Sequence, residues 1–430
     1  MVDQNVCLDG HALPLPATLR EAPSERALRP ELQPPARPRS IPARDNPRPR
    51  RIAIVHYWLV GMRGGERVLE EILSLFPTAD LFTHVAIREN LSEALRNRPI
   101  TETFIGRLPF ARKHYARFLP LMPLALEELD LSGYDLVISS ESGPAKGVIA
   151  PPGSVHVCYC HSPMRYVWDQ YGAYRQQLGP LGRLAFSVTA HGLRTWDVAT
   201  AARVDQFVAN SAFVAERIRR YYKTEAKVVH PPVELSAFSL PREPGTGDYF
   251  LFVSELVGYK RADLVVEAFN RLRLPLVVVG DGKEAPALAR RASPNICLTG
   301  RVSQERLVEL YQNARALVFP ALEDFGIVPL EAMACGVPVI AYSRGGARES
   351  VVAGKTGLFF DEQNADAIID AVERFETQRA TFDRRQIAAH AQKFSPEVFR
   401  KRFRQCVDGA IARARRRDAA STGRTGVSAE

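Results

Sequence analysis

The chain has no apolar run near the roughly 18 residues that a membrane-spanning helix needs, and no apolar stretch of signal-peptide type near residue 1. That argues against an integral membrane protein and against export by such a leader. Cysteine is scarce: six are scattered over 430 residues, too thin a distribution for a disulfide framework, so a reducing compartment is expected. Three of the usual site signatures are also weak. The glycine cluster "GMRGGER" (61–67) does not have the G-x-G-x-x-G spacing, so a nicotinamide enzyme loses ground. Cys158, Cys160 and His161 stand together in "CYCH", but strand alternation would place both cysteines on one face and His161 on the other. No second ligand cluster accompanies them, so no metal is expected. Arginine runs lie in the tails without a recognition motif beside them, which disfavours nucleic acid as a partner.

What is present is a basic, otherwise ordinary globular composition. The net charge of +9 and pI near 9.3 favour acidic partners such as phosphorylated ligands or anionic lipid. With 430 residues the chain can build two domains with full cores. Residues 1–50 carry ten prolines and read as a disordered Pro/Arg-rich tail, as does the basic segment 413–430. In between, short Val- and Ile-rich runs alternate with amphipathic stretches. They are "RIAIVHY", "YDLVISS", "SVHVCYC", "QFVAN" and "KVVH", then "YFLFVSE", "PLVVVG", "NICLTG", "RALVFP" and "PVIAY". This is the pattern of βα units and parallel sheets. The Pro/Gly break "SLPREPGTGD" separates two such α/β domains, 51–240 and 241–394. A helix from "SPEVFRKRF" follows over 395–412, with Ser395 able to cap it and Pro396 in its first turn. Two open parallel-sheet domains of this kind enclose a cleft, and ligands sit at the carboxyl ends of their strands.

The segment "PALEDFGIVPLEAMACGVPVIA" (320–341) reads as strand end, loop and helix. Glu323 falls on the loop, Glu331 early in the helix, and the amides around Gly326, Ile327 and Val328 form a helix start that attracts anions. Carboxylates accept from sugar or ribose hydroxyls. On these residues alone, a helix-start glutamate and a solvated loop acid remain the plainer reading.

The wider pattern resembles glycosyltransferase family 4, the retaining GT-B enzymes with two Rossmann-like domains. The two acids match its E-x7-E signature, and "LVGYKRADLVVEAF", "VVVGDGKE", "LTGRVSQERLVELYQNARALVFP", "HSPMRYVWD", "VANSAFVAERIRRYY" and "VVHPPV" follow in the family's order. "FIGRLPFARKHYARFLPLMPLALEELDLSGYDLVISS" (104–140) is similar in particular to mannosyltransferases of bacterial surface polysaccharides. The resemblance implies that Glu331 holds the ribose hydroxyls of a nucleotide sugar and Glu323 those of the donor hexose. Lys260 would neutralise the diphosphate, with Arg261 adding a forked contact. His161 would contact the sugar near its reacting carbon, Arg165 a phosphate or the sugar, and Gly64 and Gly65 would lie across the cleft from the diphosphate. Gly300, Arg301 and Val302 would meet the base through their backbone. One position departs from the pattern: Glu255 stands where the family usually has arginine, so either it turns away or Arg261 substitutes.

The resemblance further implies transfer with retention and without a cofactor, since the chain has no D-x-D pair to hold a divalent ion. The expected donor is GDP-mannose and the expected acceptor a lipid-linked saccharide. UDP- or ADP-sugar transfer, an epimerase and a binding protein without transfer activity are the alternatives. Arg112, Lys113 and Arg117, interleaved with Phe118 and its apolar neighbours, suit the surface of an anionic bilayer. An ordinary amphipathic helix packed on the sheet is the alternative there. With no spanning segment, the expected place is the cytoplasm, peripheral to the inner face of a bacterial plasma membrane.

Overall fold

The computed structural model describes residues 51–241 and 248–424, with side chains through residue 420. The expected tail over 1–50 and most of the Pro/Gly break lie outside the described residues. Two sheets are present. The first contains β1 (Ile52–His56), β2 (Asp80–Thr83), β3 (Ile100–Glu102), β4 (Leu136–Glu141), β5 (Val155–Cys160), β6 (Gln206–Ala209) and β7 (Ala226–Val228). The second contains β8 (Tyr249–Val253), β9 (Leu276–Val279), β10 (Ile296–Gly300), β11 (Ala314–Phe319), β12 (Val339–Tyr342) and β13 (Gly357–Phe360). Every ladder is parallel, in the orders β3-β2-β1-β4-β5-β6-β7 and β10-β9-β8-β11-β12-β13.

Both orders reverse direction once. The reversal lies between β1 and β4 in the first sheet and between β8 and β11 in the second, which is the topological switch point where open α/β sheets bind ligands. The central strands β1, β4 and β5 are buried along their whole length, as expected for strands covered on both faces. They are not purely apolar, however. His56, Ser139, Ser140, Glu141 and His156 are all buried in them, and such groups need partners.

The sequence reading did not foresee β2, β3 and β13. Their sequences, "DLFT", "ITE" and "GLFF", lack the valine that marks most of the strands read from the sequence. It also ended the last helix too early. That helix runs Pro396–Arg424, well past residue 412, because "IARARRRDAA" is rich in strong helix formers and contains no stop. The basic stretch 413–424 is therefore helical, and 425–430 lie outside the described residues. Phe399, Phe403, Cys406, Val407 and Ala410 of this helix join the core of the first domain, not the second. Arg400 pairs with Glu71 and Arg413 bonds Gln206, both in the first domain.

Beneath the first sheet lies a charged pair fully removed from water. Lys146 and Asp197 form an ion pair with neither side chain exposed. Asp197 also accepts Trp168 Nε1–H at 2.8 Å and the Tyr222 hydroxyl at 2.9 Å. Burial alone would lower the Lys146 pKa, but Asp197 and then Glu141 beside it raise it above the usual value.

Candidate active site

The loops leaving β1, β5, β8 and β11 carry most of the residues singled out from the sequence. After β1 the chain passes Tyr57 and Trp58 and enters the helix Gly64–Leu75. A side chain at Gly65 would run into the Tyr57 hydroxyl at 2.4 Å, and one at Gly64 would meet the Ile327 side chain at 3.3 Å. The glycine loop thus touches the helix start of the opposite domain. His161 follows β5 directly, and its backbone N–H donates to the Glu141 carbonyl at 2.8 Å. Its ring lies edge-on to Tyr159 and Tyr57, with centroids 5.0 Å and 6.3 Å away. Burial, with His56 adding to it, pushes the His161 pKa down to about 3, so the imidazole is neutral at physiological pH.

From the second domain, Lys260 ends a short turn, Gly258–Lys260, after β8. Its ammonium is paired with the Glu323 carboxylate on the loop after β11. Burial works against the charge on Lys260, but Glu323 holds its pKa above the usual value. Two groups expected to face the same donor, one its phosphates and one its sugar, therefore meet each other first. Gly326 has φ +87°, and its absent side chain leaves room for the Phe319 ring 3.1 Å from where a Cβ would stand. Ile327 caps the helix Val328–Ala334. Glu331 accepts the Tyr311 hydroxyl at 3.0 Å. Burial raises its pKa, with the tyrosine bond acting in the opposite direction.

Some expected residues are placed differently. The Arg261 guanidinium grips Asp263 with both Nε and Nη2 at 3.1 Å, and its Nη1 bonds Gln363 at 3.3 Å. Its fork is held by an acid two residues on, as the Lys260 ammonium is held by Glu323. Glu255 is exposed on the loop after β8. Gly300, with φ +70°, Arg301 and Val302 leave β10 at the sheet edge, and no bond links them to Lys260, Glu323 or Glu331.

The segment around Arg112, Lys113 and Arg117 is not one amphipathic helix. It consists of the short helix Ala111–His114, the 3-10 helix Tyr115–Leu121, which contains Pro120, and the helix Met122–Glu127, with Pro123 in its first turn. Phe118 packs inward against the cluster of Val85, Ile105 and Met122, and Phe110, Leu121 and Leu124 are exposed instead. The segment borders the cleft through Tyr115, whose ring lies 5.1 Å from Trp58.

The sequence reading missed the acid that ties the domains together. Asp324, next to Glu323, accepts from Arg165 Nε at 3.0 Å and Arg217 Nη1 at 2.8 Å, both from the first domain. Arg217 also bonds Ser162 at 3.0 Å and pairs with Asp169. A signal for Arg217 was there: it sits with Val214, Ile218 and Tyr222 on the apolar side of the helix Ala212–Tyr222. A second tie comes from Glu349, which accepts the amides of Ala212 and Phe213 at 2.8 and 3.2 Å and lies 2.9 Å from His230 Nε2. Here an acid from one domain caps a helix of the other. A cavity of about 310 Å³ lined by Phe238, Leu240, Ala334 and Arg385 lies behind the second sheet and includes none of these residues.

The comparisons with known proteins point the same way. The family "Glycosyltransferase Family 4" matches residues 62–237, and "Glycosyl transferases group 1" matches residues 238–394. A GDP-mannose-dependent alpha-(1-6)-phosphatidylinositol monomannoside mannosyltransferase of Mycolicibacterium smegmatis is 31% identical over 250 residues, covering 48% of this chain and 65% of that protein. A D-inositol 3-phosphate glycosyltransferase of Mycobacteroides abscessus is 26% identical over 215 residues, covering 44% and 48%. The matched stretches thus span about half to two thirds of those relatives' own length. Among solved structures, sucrose-phosphate synthase from Thermosynechococcus elongatus superposes with TM-score 0.63 at 19% identity, covering 84% of this chain and 99% of that one. Anabaena HepE in complex with UDP-glucose gives TM-score 0.60 at 15% identity, covering 83% and 99%. Those two likenesses concern the fold, which is GT-B. With residues 62–394 matched without a gap by the two models and the glycine loop set against the helix start of the opposite domain, the protein belongs to glycosyltransferase family 4.

Proposed function

We propose that the chain transfers a hexose, mannose from GDP-mannose, to a lipid-linked saccharide, with retention of anomeric configuration and without a metal ion. The observation that carries this reading is the Lys260–Glu323 pair at the second switch point. An ammonium and a carboxylate meet there, which supports reading one as the cation for a leaving diphosphate and the other as the acceptor for sugar hydroxyls. The mannose choice is supported by the mycobacterial relative, which depends on GDP-mannose.

In the proposed reaction the bond from the sugar's anomeric carbon to phosphate oxygen breaks while the acceptor oxygen bonds that carbon on the same face. The acceptor's hydroxyl proton passes to the departing diphosphate. Lys260 and the amides near Gly326 and Ile327 stabilise the charge that grows there. Donor binding separates Lys260 from Glu323: the diphosphate takes the ammonium, and the carboxylate turns to the hexose. Glu331 holds the ribose.

Steady-state kinetics with GDP-mannose and a lipid-linked acceptor tests this directly. Glu331→Ala should raise KM more than it lowers kcat, because ribose is held alike before and during transfer. Glu323→Ala should mainly lower kcat, because its partner changes charge in the transition state. Each loss should be roughly tenfold or more, the cost of a charged hydrogen bond. Near-normal kinetics in both variants would return these acids to the plain helix-start reading. Calorimetry with UDP binding far tighter than GDP would move the donor to a UDP-sugar. Release of free sugar or its epimer without acceptor would support a hydrolase or epimerase.

The lipid acceptor and a peripheral place on the cytoplasmic face of the membrane are supported by two neighbouring surfaces. Residues 103–126 contain no acid and carry Arg107, Arg112, Lys113 and Arg117, with Phe110, Leu121 and Leu124 exposed. Residues 170–196 also contain no acid, and the helix Pro180–Ala201 exposes Leu181, Leu184 and Val188 at 79%, 64% and 68%. Leu119 packs against the apolar clusters beneath both. Such a basic, apolar face suits an anionic bilayer, at roughly 1 kcal/mol per Lys or Arg near the surface. The protein should sediment with vesicles containing anionic phospholipid, not with neutral ones, and salt should release it. Leu181→Ser/Leu184→Ser/Val188→Ser should weaken that binding while leaving GDP binding intact. Equal sedimentation with neutral vesicles, or none with either kind, would count against the membrane face.

A further inference from the structure

His161 is the near end of a line of buried polar groups that the transfer reading leaves unused. Its Nε2 lies 2.9 Å from the Ser140 hydroxyl, and that hydroxyl lies 2.9 Å from His56 Nδ1. His56 and Ser140 are register partners across the β1–β4 ladder, so the sheet itself sets this spacing. His56 Nε2 has no hydrogen-bond partner among the described residues. What faces it is Glu66 Oε1, at 4.0 Å. The other oxygen of Glu66 accepts the Arg63 backbone N–H at 2.9 Å, which fixes the carboxylate against the glycine loop. The line therefore runs from the glycine loop, through three strand ends, to the cleft.

A serine hydroxyl has one proton, so between two imidazole nitrogens it donates to one and accepts from the other. Two arrangements are open when each ring carries a single proton. In the first, His161 Nε2–H donates to Ser140, Ser140 donates to His56 Nδ1, and His56 turns an N–H toward Glu66. In the second every bond is reversed, and His56 turns a bare lone pair toward the carboxylate. His56 and Glu66 are only 0% and 2% exposed, so little water screens the contact. At 4.0 Å it is too long for a hydrogen bond, yet an N–H dipole aimed at a carboxylate is attractive and a lone pair repulsive. The first arrangement is favoured. It leaves the proton of His161 on Nε2, and no described residue bonds its Nδ1.

We propose that Glu66, His56 and Ser140 are positioning residues that fix His161 as its Nε2–H tautomer, so that Nδ1 is an acceptor for a hydroxyl of the transferred sugar. The sugar's place at His161 rests on the transfer reading above; the proton arrangement does not. The glutamate of "GGER" thereby has a task beyond starting a helix.

The test is long-range 1H–15N correlation on the full chain labelled at histidine, with His161 assigned by its loss in His161→Gln. Wild-type His161 should show its proton on Nε2. In Glu66→Gln the amide oxygen keeps the Arg63 N–H, so the NH2 group faces His56 Nε2 and donates toward it. The line then reverses, and His161 should show its proton on Nδ1. With GDP-mannose, kcat in Glu66→Gln should fall roughly tenfold or more while GDP affinity stays unchanged. Ser140→Ala should also lower kcat, and Ser140→Thr, which restores a hydroxyl, should recover most of it. A wild-type proton on His161 Nδ1, a doubly protonated His56, or an unchanged tautomer in Glu66→Gln would overturn the relay. A reversed tautomer with unaltered kcat would overturn the acceptor role of Nδ1. The spectra need no donor, so a chain inactive with every nucleotide sugar would sink the transfer reading and leave the proton arrangement separately decided.

Discussion

Lys260→Ala is expected to lower kcat by about 10²–10³-fold, the loss seen when one fixed donor is removed from a developing oxyanion. The reasoning starts from charge. As the glycosidic bond to phosphate breaks, the leaving diphosphate gains negative charge, and Lys260 is the cation that the second switch point supplies. Arg261 is paired with Asp263 and Arg165 with Asp324, as Lys260 is with Glu323; of the three, Lys260 is the one whose partner is the acid proposed for the sugar. Removing Lys260 also leaves Glu323 unpaired beside an incoming polyanion, so GDP should bind more weakly by calorimetry. Lys260→Arg should recover part of both losses, because it keeps the charge but not the shape. Steady-state rates with GDP-mannose decide the matter, and a near-normal kcat in Lys260→Ala would remove the lysine from the chemistry.

Asp197→Ala should destabilise the first domain by about 3–5 kcal/mol, the usual cost of leaving one member of a buried ion pair alone. Lys146 would lose its main counter-charge in a site with no exposure, and the Trp168 and Tyr222 donors would lose their acceptor. The three tryptophans of the chain, Trp58, Trp168 and Trp196, all belong to the first domain. Their fluorescence during urea unfolding therefore reports that domain alone, and the midpoint should fall sharply. The double variant Lys146→Met/Asp197→Leu should regain much of the loss, since an apolar pair of similar size needs no partner. A single variant as stable as the parent would mean that water reaches Lys146.

Fold and cleft acids could be read from the chain because their signals are local. The buried strands β1, β4, β5 and β11 begin on short runs rich in apolar residues, and the E-x7-E acids lie within one strand-loop-helix unit. What could not be read is set by contacts between distant segments. β2, β3 and β13 carry no Val-rich run of their own and are recognised by their ladders to β1, β2 and β12. Asp324 lay in plain sight beside Glu323, but its partners Arg165 and Arg217 are 159 and 107 residues away. The His56–Ser140–His161 line depends on strand register, and register is a property of the folded sheet.

The terminal helix has a consequence for the order in which the protein is made. Phe399, Phe403, Cys406, Val407 and Ala410 complete a core whose other buried members, from Ile52 to Val229, are synthesised far earlier. Domains generally fold as they leave the ribosome, the N-terminal one first. Here the first domain to emerge is the last to be finished: the second can close its own core while the first still exposes the apolar groove that residues 396–410 will fill. A nascent or truncated chain ending near residue 394 would carry one complete domain and one sticky one, so loss of the final helix should appear as aggregation rather than as a simple loss of activity.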